Sequence, residues 1–227
     1  MRHARQLVIA LGVTAMCLMA SQAHATILAP GTAAAPPDVL LTPPCGGCYI
    51  VADTGEQSFS ITSVLGTTAT GFYREVVYFD PSNSVGGGLD FLIQVSNDLS
   101  SQDLINRVTT APFEASIMTD VGFNAVIGDL ISHGADIPPL TVDRSAGTNT
   151  TIGFNLVILQ GSQSSVLEIQ TNAQYLRSGS INIIDGGVAT VAGFAPTLVP
   201  EPASLTLLGT GLFGLTSMMR RRRQNRS

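Results

Sequence analysis

Apolar and polar side chains alternate along two stretches of the chain. In the ranges 89–95 and 152–158 every second residue is apolar, and polar residues or glycine occupy most of the positions between them. The apolar sets are Leu89, Phe91, Ile93 and Val95 in the first stretch and Ile152, Phe154, Leu156 and Ile158 in the second. A period of two places alternate side chains on opposite faces of an extended strand. Both stretches are therefore predicted to be half-buried strands.

Further short strands are predicted between turn-forming residues. The candidates are Ser58–Leu65, Gly71–Phe79, Val121–Ile127, Val166–Thr171, Ser180–Ile184 and Val188–Phe194. The intervening turns are rich in Gly, Asn, Asp and Pro, as in 80–83 and 185–187. Ser101–Val108 fits a helix of two turns at most. Many short strands without long helices favour an all-β fold, an antiparallel β-sandwich of jelly-roll type.

Composition and charge divide the 227 residues into different regions. Only 12% of residues are charged, and five Arg lie in the last eight residues, whereas Thr26–Val199 holds four Arg against fifteen Asp and Glu. This middle region is too acidic for a nucleic-acid binder and too apolar for a disordered chain. We expect an Ala- and Pro-rich leader at 26–44 and one domain at 45–197.

The N-terminus has the layout of a secretory signal peptide. Arg2 and Arg5 precede an apolar run over 7–20, and Ala23 and Ala25 are small residues spaced for cleavage. The run is short for a membrane span. We expect signal peptidase to remove residues 1–25, so that the mature chain begins at Thr26.

The C-terminal region, 198–227, combines three features in a fixed order. Pro200, Glu201 and Pro202 form a tripeptide, Ala203–Met219 is an apolar run long enough to enter a bilayer, and Arg220, Arg221, Arg222 and Arg223 follow it. The basic cluster is expected to stay in the cytoplasm and leave the preceding domain outside.

This tail resembles the PEP-CTERM sorting signal of Gram-negative bacteria. The resemblance implies that an exosortase, a membrane-embedded cysteine transpeptidase-like enzyme, recognises the PEP region, removes the tail and passes the protein to the cell surface or matrix. The alternative is a permanent C-terminal anchor. In either case the precursor would be held in the inner membrane by the transmembrane helix.

Cysteine, histidine and acidic residues are the candidates for functional sites. Cys45 and Cys48 are expected to form a small disulfide in an exported chain, with a redox pair as the alternative. His133 lies beside Gly134 and two prolines, which indicates a surface loop rather than a catalytic base. Calcium is a minor hypothesis, and its possible oxygen ligands are Asp80, Asn83 and Asp90, or Asp136 and Asp143. No other metal site or cofactor is predicted.

The sequence therefore predicts an exported, non-catalytic surface or extracellular-matrix protein. Its expected partners are signal peptidase, an exosortase and, in a biofilm, exopolysaccharide; nucleic acid is not expected. Two alternatives stay open. One is a carbohydrate- or calcium-binding adhesion module, and the other is a secreted hydrolase with an acidic site that no motif identifies.

Overall fold

The described chain is built from strands. The computed structural model describes residues 26–36, 47–124 and 129–198, and in these ranges it contains fifteen strands and no helix. The strands are β1 (Thr26–Ile27), β2 (Ala33–Ala34), β3 (Tyr49–Asp53), β4 (Gln57–Thr62), β5 (Thr68–Asp80), β6 (Gly88–Asn97), β7 (Ile105–Glu114), β8 (Thr119–Asn124), β9 (Ala135–Ile137), β10 (Thr141–Arg144), β11 (Asn149–Ile158), β12 (Ser162–Ser164), β13 (Val166–Thr171), β14 (Tyr175–Ile184) and β15 (Val188–Thr197). The all-β prediction is confirmed.

The strands form two sheets. The large sheet has nine strands. Strand β1 pairs with β8, β8 with β13, and β13 with the first half of β6; the end of β6 pairs with β12, which pairs with β9. The other edge of β6 pairs with β5, and β3 and β4 pair with β5. The small sheet has six strands in the order β15, β14, β7, β11, β10, β2. The pairs are antiparallel except for β9 and β12, which run parallel.

One hydrophobic core joins the two sheets. Both alternating sets predicted from the sequence lie in it, the first on β6 and the second on β11. The ring centroids of Phe91, from the large sheet, and Phe113, from the small sheet, are 5.7 Å apart in an edge-to-face arrangement. This geometry is favoured by the quadrupoles of the two rings. The core therefore forms where side chains of both sheets meet.

The helix expected at 101–108 is wrong. Residues 101–104 form no regular element, and β7 begins at Ile105. Strand β7 lies between β14 and β11, and Ile105 and Val108 are fully buried in the core. A two-turn helix is marginal in water, so pairing on both edges of β7 outweighs the local helical spacing.

The prediction of a half-buried strand is also wrong for β6. All ten of its residues are buried, including the polar residues between the core positions, and β13 is buried throughout as well. Strand β11 keeps the expected partly exposed face. Both faces of β6 are covered because loops lie over the face that points away from the core.

The leader takes part in both sheets. Strand β1 pairs with β8 in the large sheet, and β2 pairs with β10 in the small sheet. Between them, Leu28 is 1% exposed and lies in the core. The composition of this segment predicted an extended chain with little core of its own, so its anchoring side chain was missed.

Several predicted features lie outside the described residues. They are the signal peptide at 1–25, Cys45, the Pro200–Pro202 tripeptide, the apolar run of the tail and Arg220–Arg223. Within the ranges that the structure describes, no helix has the length and apolar character needed to cross a membrane.

Candidate functional site

A group of buried carboxyls lies on the face of the large sheet opposite the core. We call Asp90, Asp120 and Glu168 the carboxyl cluster. Asp90 on β6 pairs with Gln170 on β13, and Gln170 pairs with Asp120 on β8, so these three side chains share one row. Glu168 lies two residues before Gln170 on the same face. The exposed fraction of each carboxyl residue is 2% or less.

The loop 81–87 covers one side of the carboxyl cluster. Asn83 donates from Nδ2 to Asp90 Oδ1 at 2.7 Å and to the carbonyl of Thr171 at 2.9 Å, while its Oδ1 accepts the Gly87 N–H at 2.8 Å. Gly87 has φ +87°, and a Cβ there would lie 2.6 Å from the Pro81 carbonyl oxygen. Only glycine fits this position easily, so the Gly-rich turn holds Asn83 over Asp90.

A chain of polar contacts connects Asp120 with Glu168. Ser84 Oγ lies 2.5 Å from Asp120 Oδ2 and 2.6 Å from Gln170 Oε1. Gln170 then donates from Nε2 to Glu168 Oε1 at 2.7 Å. Ser84 has a single hydroxyl proton, so it can donate to only one of these two oxygens at a time.

Burial raises the pKa of two carboxyls in the cluster to about 8. For Asp90 the main cause is desolvation, increased by the charge of Asp80 and opposed by the Asn83 hydrogen bond. For Glu168 it is again desolvation, increased by the charges of Asp90, Asp120 and Asp80 and opposed by the Gln170 hydrogen bond. The second oxygens, Asp90 Oδ2 and Glu168 Oε2, have no hydrogen-bond partner among the described residues. A protonated carboxyl is neutral, so protonation removes the free-energy cost of burying such a charge.

The residues proposed as calcium ligands make other contacts. Asp80 Oδ1 accepts the N–H and hydroxyl of Ser82, both at 2.7 Å, and the Asn83 oxygen is used within its own turn. Asp136 accepts from Gln163 at 2.9 Å, whereas Asp143 forms an ion pair with Arg107 at 2.6 Å. In the described ranges no three His, Cys, Asp or Glu side chains meet in a group that could hold a metal ion.

A second polar contact covers the same face farther along β6. Gln94 Oε1 accepts the N–H groups of Leu130 and Ile131 at 2.7 and 3.0 Å, and Gln94 Nε2 donates to the carbonyl of Ser164 at 2.9 Å. Leu130 also packs against the buried pair Leu92 and Val166. The segment around residue 130 therefore closes this part of the sheet to solvent.

A separate buried carboxyl holds the last strand before the tail. Glu75 on β5 is fully buried, burial raises its pKa to about 8, and its Oε2 accepts the Phe194 N–H at 2.8 Å. Nearby, the Tyr73 hydroxyl donates to the Ala192 carbonyl at 3.0 Å. Both bonds satisfy backbone groups at the outer edge of β15, which has a neighbouring strand on only one side in the described sheet. They connect the edge of the small sheet to the large sheet.

His133 lies in an exposed loop, as expected. Its ring stacks on Phe72 with a centroid distance of 4.7 Å, and Nε2 is 3.2 Å from Glu56 Oε1. Its backbone N–H donates to Gln163 at 2.8 Å. These contacts position the loop against the large sheet.

Cys48, immediately before β3, is in a disulfide. Its expected partner, Cys45, lies outside the described residues. The pairing of Cys45 with Cys48 therefore stays a prediction.

Sequence reasoning missed Asp120, Glu168 and Glu75 as members of buried sites. Each lies on or beside a predicted strand, where a polar residue between apolar ones indicates an ordinary solvent-facing position. Their burial depends on loops and strands that are distant in sequence, such as Phe194, which lies 119 residues after Glu75. Nothing in the local sequence distinguishes them from exposed acids.

The last described strand leads directly into the tail. Strand β15 ends at Thr197, which is buried and pairs with Tyr175, and Leu198 is partly exposed. Comparison with known proteins found no curated protein and no solved structure that matches the chain. A family model, however, matches the tail, beginning one residue after β15. Residues 198–223 are thus a PEP-CTERM protein-sorting motif, and the chain is a PEP-CTERM domain-containing protein, which confirms the resemblance seen in its sequence.

Proposed function

We propose that this protein is an exported, non-catalytic surface or extracellular-matrix protein that an exosortase releases from a membrane-held precursor, and that it associates with exopolysaccharide. The sorting motif supports exosortase-dependent export to the cell envelope or surface. The observation that carries the proposal is the direct junction at residue 198 between an all-β domain and this motif. We also propose that the two sheets face each other as a sandwich; the jelly-roll order remains a prediction.

The environment of the acidic residues supports a non-catalytic role. Strongly raised carboxyl pKa values often mark catalytic acids, but such acids must reach a substrate. Glu75, Asp90 and Glu168 have these raised pKa values and are at most 1% exposed. Glu75 bonds the backbone of β15, and the other two lie beneath loops. These groups therefore act within the fold.

Replacing Pro200, Glu201 and Pro202 with alanine tests the sorting step. Alanine continues a helix and leaves the apolar run intact, so a permanent anchor would not be affected. An exosortase that reads the tripeptide would stall. In a host with an intact exosortase, we expect a full-length precursor to accumulate in the inner membrane.

Replacing Arg220–Arg223 with alanine is the control, because loss of the basic cluster weakens cytoplasmic retention whether the tail is a sorting signal or an anchor. Immunoblots of membrane and extracellular fractions distinguish the two possibilities. Equal amounts of the same-sized product from the wild type and the triple-alanine variant would exclude the sorting proposal in favour of simple anchoring.

A further inference from the structure

Several exposed apolar residues lie at the end of the fold where the domain meets its tail. We call Ile27, Tyr49, Met118, Tyr175 and Leu198 the junction surface. Their exposed fractions range from 40% for Leu198 to 68% for Ile27. Exposed apolar residues on a surface are normal, so what distinguishes this group is its position beside the tail rather than its exposure.

The register of the strands places these residues at the same end of the fold. Tyr175 pairs with Thr197, the residue before Leu198. The Met118 N–H donates to Asn172 Oδ1 at 3.0 Å, and Ile27 on β1 precedes Leu28, whose N–H donates to the Thr119 carbonyl at 2.9 Å.

Tyr49 joins this end through the large sheet. It pairs with Phe79, and Phe79 pairs with Leu89. The Leu89 N–H then donates at 2.9 Å to the carbonyl of Ala173, two residues before Tyr175. Tyr49 therefore lies at the end of the fold from which residue 198 emerges, as do the other four residues of the junction surface.

The connection to the apolar run of the tail is short. Ala203, where the run begins, follows Leu198 by five residues, a reach of roughly 17 Å at most when fully extended. The ten residues of β15 span about 30 Å from the junction end to Val188 at the opposite end. A tether shorter than the strand keeps the junction end toward the membrane while the run is inserted.

We propose that the junction surface rests on the lipid headgroup region of the membrane in the precursor, before the tail is removed. This inference depends on the proposed function, because it needs the apolar run in the bilayer. Aromatic and long apolar side chains are favoured at the membrane interface. The charged groups close to this surface are paired or buried: Arg177 and Glu114 are 3.6 Å apart, and Arg144, Asp120 and Asp80 are at most 6% exposed.

The opposite end provides a matched control. Val64 and Leu65, in the turn between β4 and β5, are the most exposed apolar pair there. The backbone of Thr62, just before this turn, contacts Gly187 beside Val188, so the turn lies at the distal end of β15. These two residues are equally apolar but too far from the tail to reach the same bilayer.

The chain contains no Trp, so a single introduced Trp reports on one position. The Tyr175→Trp and Leu65→Trp variants of the full chain are reconstituted into vesicles of phosphatidylethanolamine and phosphatidylglycerol, with and without brominated acyl chains. Side chains at the membrane interface lie close to the upper acyl carbons, so we expect emission of Tyr175→Trp to be quenched roughly twofold more than that of Leu65→Trp. Adding Ile27→Ser and Met118→Ser should reduce the quenching of Tyr175→Trp, whereas adding Val64→Ser should not.

Flotation of the vesicles tests the membrane-held precursor separately from the contact of the junction surface with lipid. If the chain floats with the vesicles but Tyr175→Trp is quenched no more than Leu65→Trp, the junction surface does not rest on lipid and this inference is wrong, while membrane anchoring stands. The inference is also wrong if quenching needs added exosortase, because the surface would then contact a protein rather than lipid. If the chain does not float, the membrane-held precursor fails and the inference fails with it.

Discussion

Single residues of the same type have very different roles in this fold, as Arg144 and Arg107 show. Arg144 is 2% exposed and donates to the carbonyls of Leu28, Ile117 and Glu114 and to two threonine hydroxyls. Burial lowers its pKa. Arg107 is partly exposed and forms an ion pair with Asp143. Arg144 therefore connects the leader, β7 and β8 through hydrogen bonds made by a buried side chain.

Substituting Arg144 tests this difference at the scale of one residue. We expect Arg144→Met to lower the free energy of unfolding by about 3 kcal/mol or more, because several buried acceptors lose their donor. Arg107→Met is the matched control and should cost about 1 kcal/mol or less, since partly exposed ion pairs contribute little. Urea unfolding of both variants measures the two losses, and equal losses would contradict the structural role of Arg144.

At the scale of elements, the sequence predicts those strands whose own apolar residues form the core. Val166–Thr171 is predicted with the bounds that β13 has in the structure, and the alternating sets on β6 and β11 are in the core. The prediction failed for β7 because its pairing with β11 and β14 is not local. It failed on the polar face of β6 because the covering loop 81–87 has the sequence of an ordinary turn.

Leu28 tests whether the leader is anchored in the core, although the composition of the leader suggests no core residue. Leu28→Ala should lower the free energy of unfolding by about 2–4 kcal/mol, as expected for truncating a fully buried leucine. The neighbouring Ile27 is 68% exposed, so Ile27→Ala is the control and should cost about 0.5 kcal/mol or less. Thermal or urea unfolding compares the two. If both substitutions are equally mild, the leader is not anchored through Leu28.

At the scale of the whole molecule, buried acids and paired acids make stability depend on pH in opposite ways. Glu75, Asp90 and Glu168 have pKa values raised to about 8 in the folded protein. Hydrogen bonds and ion pairs with Arg74 and Arg107 lower the pKa values of Asp53 and Asp143. The three acids with raised pKa values contribute stability that is lost as the pH rises toward 8. The two acids with lowered pKa values contribute stability that is lost only when the pH falls below about 4.

We therefore expect the domain to lose stability as the pH rises from about 5 to 8. In this window an unfolded chain has released the protons of the three buried acids, whereas the folded protein keeps them. The folded state therefore binds more protons, and the free energy of unfolding decreases as the pH rises. Each group contributes at most roughly 1.4 kcal/mol per pH unit. The contribution is complete below the ordinary carboxyl pKa and is gone above about 8.

The free energy of unfolding in urea at pH 5, 6, 7 and 8 measures this slope, and two glutamate variants assign it. Glu168→Gln removes one buried acid and should make the slope shallower, with variant and wild type diverging most at pH 8. Glu114→Gln removes a partly exposed acid paired with Arg177 and should leave the slope unchanged. Stability that is constant or increases from pH 5 to 8 would mean that the buried carboxyls are ionised in the folded protein. The carboxyl cluster would then need a compensating positive charge rather than protons.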